Sequence, residues 1–274
     1  MATSSPSVAV RLKANVQLAL FVLLAYGISW GMWAPLLVKD AEAFPGVASW
    51  LYYGGVVGPA VAAVCLSKLE GPASLGTLWR FSTTCRVSWR WYGLALLLPF
   101  AIRGASLLVF RAFQGPVEIS WRPIATFLPF AALVLPLVAL EELGWRGFAL
   151  PRLQERHSPL AASLVVGLIW GVWHLPLAWA STGFQASDRP VVYMLRFVAT
   201  ILPISCLATW VFNGTGGSVI LASLYHFSVD LSETILVLPD RIGTWVLWIS
   251  TALSSVVVLL IWRWVAKWTV RATV

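Results

Sequence analysis

Glu141 and Glu142 close a long apolar run in "LVALEELGWR", and Arg146 follows the second glutamate by four residues. Further along, His174 ends "LIWGVWH", and "YHFSVDLSE" carries His226, Asp230 and Glu233. Carboxylates and imidazoles move protons near neutral pH, so this set could activate a water, hold a divalent metal or pass protons. On a helix, residues four apart share a face and adjacent residues diverge by about 100°. Glu142 can therefore pair with Arg146, the acid lying on the favourable N-terminal side, while Glu141 points elsewhere and is free to be a base. By the same spacing His226, Asp230 and Glu233 line one helix face.

The surrounding sequence sets the medium in which these groups work. Of 274 residues, 59% are hydrophobic and 11% charged, against about 25% charged in a soluble domain. Eight apolar runs, approximately 16–37, 50–67, 91–110, 125–150, 160–180, 191–212, 218–238 and 244–264, are each long enough to cross a bilayer core of about 30 Å. They predict an all-α, polytopic transmembrane helical bundle with about eight spans. Residues 1–15 and 265–274 read as tails, 16–264 as one membrane domain, and the connections, including the basic stretch 68–90, as loops. The first run shows no small-residue cleavage site and reads as a retained helix. Cys65, Cys85 and Cys206 form no C-x-x-C pair and imply neither a disulfide framework nor a zinc ribbon.

Loop charge predicts the orientation. With the N-terminus in the cytoplasm, the inner segments hold Arg11, Lys13, Lys68, Arg80, Arg86, Arg90, Arg146, Arg152, Arg156, Arg263, Lys267 and Arg271. The outer loops hold only Lys39, Arg111, Arg122, Arg189 and Arg241, so the positive-inside rule places both termini in the cytoplasm, in the plasma membrane. The net charge of +8 then reflects topology and anionic lipid, with the bilayer and not nucleic acid as partner.

An ionised group at the bilayer centre costs about 2.5–3.5 kcal/mol even on the lenient insertion scale, so each one inside a span needs a reason. Arg103 and Arg196 stand alone and read as snorkelling side chains or single interhelical bonds. The glutamates, histidines and Asp230 come from three separate spans and read as one polar site inside the bundle. Gly167 and Gly171 form a small-residue stripe beside His174 that lets another helix approach. At 1.5 Å per residue, Glu141, His226 and His174 lie roughly 14, 12 and 21 Å from the cytoplasmic ends of their runs, compatible with a shared cavity in the cytoplasmic half.

These residues resemble a known family. "EELGWR" (Glu141, Glu142, Arg146) is similar to the E-E-x-x-x-R motif of the CPBP intramembrane proteases, the CAAX-protease, bacteriocin-processing or Abi family. "WGVWH" (Trp170, His174) resembles its F-x-x-x-H motif, and "HFSVD" (His226, Asp230) its third motif, a histidine followed by Asn or Asp. Their order matches over a core of about 120–240. Trp170 departs from the usual phenylalanine, and Asp230 from the asparagine of eukaryotic CAAX-processing members. The resemblance implies an endopeptidase acting on a membrane-associated protein or peptide. Glu141 would be the base, His174 would hold the water, His226 would stabilise the oxyanion with Asp230 orienting it, and Glu142, Arg146 and Trp170 would support them.

No cofactor is expected, although zinc or another divalent metal on Glu141, His174 and His226 is the competing reading. The span sites lack H-E-x-x-H spacing. Two other classes share the residue set: a small proton- or ion-coupled transporter, for which the sequence shows no inverted repeat, and a non-proteolytic scaffold or immunity protein. Orientation is open to a direct check. A reporter fused after Val274 is expected on the cytoplasmic side and one inserted near Ala186 outside; a C-terminal reporter outside the cell would reverse the assignment.

Overall fold

The computed structural model describes residues 8–38, 45–117, 119–121, 127–180, 187, 189–265 and 270. Lys39, Arg122, Ala186, Lys267 and Arg271 lie outside these residues, as do most of both tails. The chain is a bundle of α1 (Val8–Trp33), α2 (Pro45–Val56), α3 (Gly58–Glu70), α4 (Pro72–Thr83), α5 (Trp89–Gln114), α6 (Phe127–Glu142), α7 (Leu150–Gln154), α8 (Pro159–Trp173), α9 (Pro190–Gly214), α10 (Val219–Thr234) and α11 (Asp240–Val265). A π-helical stretch, Leu143–Ala149, joins α6 to α7 without interruption. The short strands β1 (Ser120–Trp121) and β2 (Leu236–Val237) pair antiparallel, Ser120 facing Val237.

Each of the eight apolar runs coincides with helix. Among the described residues, five helices are long and apolar enough to cross a membrane alone, and α2 with α3, bent by 40°, would make a sixth. The remaining two runs fall on α6 and α10, which have 16 residues each and carry the acidic groups. The expected loop at 68–90 is corrected: it contains α4, which buries Ser74, Leu78 and Phe81. Pro72 opens that helix at a position where a missing N–H costs nothing.

Prolines and small residues explain how the helices meet. Pro59 lacks the N–H that would bond the Gly55 carbonyl, and that carbonyl accepts instead from Ser29 Oγ of α1 at 2.6 Å. The α2–α3 break is thus satisfied by a neighbouring helix. A Cβ on Gly58 would stand 2.1 Å from Ser29 Oγ, and one on Gly144 would stand 2.5 Å from Pro59 Cβ and 2.7 Å from its carbonyl carbon. The expected stripe on α8 packs α9: a Cβ on Gly167 would meet Ser205 Cβ at 2.9 Å, and one on Gly171 would meet Val198 at 3.1 Å. The lipid-facing side carries exposed Leu23, Leu97, Leu108, Leu195, Leu259 and Leu260.

Gly144→Ala is expected to lower the thermal midpoint of the purified protein by several degrees or to abolish folded yield, because the atoms it meets are the rigid ring and backbone of Pro59. Gly104→Ala, with nothing within 4 Å of the new Cβ, is expected to leave the midpoint unchanged or raise it slightly through helix propensity.

Candidate active site

The π-helical turn is the local irregularity from which the site is built. One extra residue per turn widens the helix, a distortion found most often at functional positions. It begins at Leu143, immediately after the two glutamates. Glu142 and Arg146 are fully buried and paired, Nη1 to Oε1 at 2.8 Å, as their spacing predicted. Arg146 Nη2 also donates to Ser205 Oγ at 3.2 Å, and Ser205 in turn donates to the Ser163 carbonyl at 2.9 Å. The guanidinium is therefore tied to α8 and α9 as well as to its own helix.

Glu142 does more than accept from Arg146. The same Oε1 lies 2.9 Å from His226 Nδ1, linking α6 to α10. Asp230, expected to orient His226, has its carboxylate 3.8 Å from Nε2, beyond hydrogen-bond range. The orienting contact in the structure belongs to Glu142. The family resemblance implied that role for Asp230, whereas Glu142 is 84 residues away and no local pattern couples it to His226.

Glu141 turns away from this pair, as expected, and accepts from Trp170 Nε1 at 3.0 Å. The indole N–H is a donor that the family's usual phenylalanine lacks. Trp170 also lies beneath the Arg146 guanidinium, 5.0 Å from its ring, and meets the His226 ring edge-on at 4.7 Å.

His174 sits where α8 ends. Pro176 cannot continue the helix, and the His174 N–H bonds the Gly171 carbonyl at 3.2 Å instead of the carbonyl of Trp170. That orphan carbonyl is met by His174 Nδ1 at 3.0 Å. A carbonyl can only accept, so Nδ1 carries the proton and Nε2 presents a lone pair. Trp173 and Phe197 pack edge-on against the ring at 4.6 and 4.9 Å and fix its plane.

Glu141, Trp170, His174, His226 and Asp230 all line one cavity of about 400 Å³. The cavity extends from Glu141 and His226 past Tyr52, Tyr193, Arg196 and Leu247. Tyr193, Arg196 and Leu247 lie near the starts of α9 and α11. Glu233 lines the cavity too, extending the α10 face as predicted. Tyr52, Tyr193 and Arg196 were not singled out as cavity residues, because neutral aromatics and a lone arginine carry no spacing signal. Arg196 donates to Thr244 Oγ1 at 3.2 Å.

The proposed zinc set was tested against this geometry. Among the described residues, no group of three or more His, Cys, Asp or Glu side chains is gathered as a metal site. His226 and His174 each commit Nδ1 to a protein partner.

A helical membrane protein with a carboxylate–imidazole site at the base of an internal cavity is the class these features define. Residues 121–232 match the family described as type II CAAX prenyl endopeptidase Rce1-like, which spans all three motifs. The chain is 34% identical over 147 residues to CAAX prenyl protease 2 of Methanococcus maripaludis, covering 53% of this chain and 51% of that protein. It is 22% identical over 232 residues to lysostaphin resistance protein A of Staphylococcus haemolyticus, covering 82% of this chain and 61% of that protein. The chain thus matches about half to three fifths of the length of these relatives. Over this core the chain is similar to the CPBP proteases whose three motifs it resembles.

Arg146→Ala would leave the fully buried Glu142 carboxylate with His226 as its remaining partner, a change expected to cost about 3–5 kcal/mol. Its folded yield should fall sharply, and the double variant Arg146→Met with Glu142→Gln should recover part of it in a thermal-shift measurement. Equal loss in the single and double variants would show that the charge left behind is not the cause.

Proposed function

We infer that the protein is an intramembrane endopeptidase that hydrolyses a peptide bond in a membrane-associated substrate, with Glu141 activating the water. The observation that carries this reading is the division of labour between adjacent glutamates. Glu142 is consumed by Arg146 and His226, whereas Glu141 holds a single neutral donor and faces the same cavity as His174.

The chemistry follows from the atoms left free. A water on the cavity floor gives its proton to Glu141 while His174 Nε2 accepts its second hydrogen bond. The resulting hydroxide attacks the substrate carbonyl carbon and the C=O electrons move to oxygen. His226, with Nδ1 directed at Glu142, offers Nε2 to that oxyanion when protonated, and Asp230 stands close enough to favour that charge. Glu141 then returns its proton to the amine as the C–N bond breaks. The aromatic walls supply an apolar bed for the substrate. A CAAX prenyl substrate belongs to the name of the Methanococcus maripaludis relative, and Asp230 in place of asparagine gives this chain its own third motif.

The mechanism is proposed to run without a metal. If zinc were bound, it would lower the pKa of its water toward about 7 and its removal would stop the reaction. Under loop-charge orientation the cavity faces the outer leaflet; an inverted topology would turn it to the cytoplasm.

In a cleavage assay with reconstituted protein, Glu141→Gln is expected to abolish turnover while leaving the thermal midpoint near wild type, because the amide oxygen still accepts from Trp170. Chelator is expected to leave wild-type cleavage intact, and elemental analysis of active protein to find well under one zinc per chain. Near-normal turnover in Glu141→Gln would remove the assigned base. Chelator inactivation reversed by zinc would replace the metal-free mechanism and leave the protease reading in place.

A further inference from the structure

Beside the main cavity, α5, α9, α10 and α11 enclose a second chamber of about 30 Å³. Arg103 of α5 lines it. A snorkelling arginine would carry its head group to the interface, but Arg103 is 8% exposed, and its Nε and Nη1 find no hydrogen-bond partner among the described residues. Leaving buried donors of a cation unmet costs free energy, so the chamber calls for an acceptor.

The walls decide which acceptor fits. Ser232 donates to the Val229 carbonyl, Thr251 to the Leu247 carbonyl and Ser250 to Ser106 Oγ. Thr200 Oγ1 lies 3.0 Å from Thr251 Oγ1, whose hydrogen is already committed, so Thr200 is the donor of that pair. With their hydrogens spent, these hydroxyls turn lone pairs toward the chamber. Glu233 adds a carboxylate to the same wall. A halide or carboxylate would face this ring of lone pairs, and a metal cation would face the guanidinium. Water accepts from Arg103 and donates to the oxygens opposite, which is the polarity the chamber presents. A cavity of about 10–15 Å³ suffices for one water, so this one has room for one or two.

Glu233, Thr200, Ile204, Val229 and Leu247 line both this chamber and the main cavity, which therefore share a wall. We propose that the chamber is a water site in which one or two ordered waters bridge Arg103 to Glu233 and so hold that exposed carboxylate in place on the wall of the main cavity. Its bearing on catalysis rests on the hydrolytic reading above. Its existence does not.

Hydroxyl-radical footprinting of the reconstituted, full-length protein tests this without turnover, so its failure is separable from failure of the protease assignment. Tyr225 and Ile102, at 1% and 9% exposure, touch the chamber but not the main cavity. Both are expected to be oxidised several-fold faster than the fully buried Phe148 and Leu150, and Arg103→Leu should remove most of that excess. If Arg103→Leu does not fold, Glu233→Leu cuts the other end of the bridge and should lower labelling likewise. No excess in the wild type would overturn the water site. Labelling unchanged in a folded variant would overturn the bridge. A thermal midpoint that rises when chloride replaces gluconate, and only while Arg103 is present, would make the ligand an anion and overturn the choice of water.

Discussion

The arrangement turns on one carboxylate oxygen, Glu142 Oε1, which meets Arg146 at 2.8 Å and His226 at 2.9 Å. A charge buried in an apolar bundle is tolerable only when its field is answered, and here Arg146 and His226 answer it at one oxygen, while Oε2 finds no hydrogen-bond partner among the described residues. This gives α6 and α10 a fixed relative position that apolar packing would leave adjustable. Arg146 extends the restraint through Ser205 to the Ser163 carbonyl, so the same ion pair also registers α8 against α9. The stripe of Gly167 and Gly171 permits that approach, but the polar chain selects where along the stripe it occurs.

Trp170 converts this scaffold into a site. Its indole N–H reaches Glu141, its face lies against Arg146, its edge meets His226, and its carbonyl holds His174. One rigid side chain and its own peptide group thus touch four of the six other residues of the three motifs, and no flexible linker intervenes. Tryptophan at this position adds a directed donor to what phenylalanine would supply by packing alone. The two groups facing the cavity, Glu141 and His174 Nε2, are oriented by parts of one residue, so they hold their mutual position if the bundle breathes around them.

The sequence made the bundle and the face of each charged residue legible because both follow from short-range periodicity. Glu142 with Arg146, Glu141 facing away from them, the α8 glycine stripe and Glu233 on the α10 face all depend on spacings of one to seven residues. What escaped depends on contacts between distant helices. The hydrogen bond from Glu142 to His226, the depth of Arg103 and the reach of the cavity toward Tyr193 and Arg196 are set by tilt, bend and helix rotation. The bend at Pro59 and the widened turn after Glu142 alter those quantities, and neither can be inferred from apolar run lengths. The helix α4 was hidden for a different reason: it is polar enough on one face to resemble a loop when hydropathy alone is read.

The two acidic helices are placed unlike the others. α6, which runs on through the π-helical stretch into α7, and α10, at 16 residues, carry Glu141, Glu142, His226, Asp230 and Glu233. The five longer apolar helices supply surface for lipid, so a polar pair can sit among them without meeting hydrocarbon along its full length. The enclosure is incomplete on the cavity side, where Glu233 is exposed and the Asp230 side chain is 37% exposed. Glu142 and Arg146, both fully buried, are held away from that opening, while Asp230 and Glu233 stand at it. The charged residues are thereby divided into a buried half that fixes the helices and a half that faces the cavity, and α10 carries members of both through His226 and Asp230.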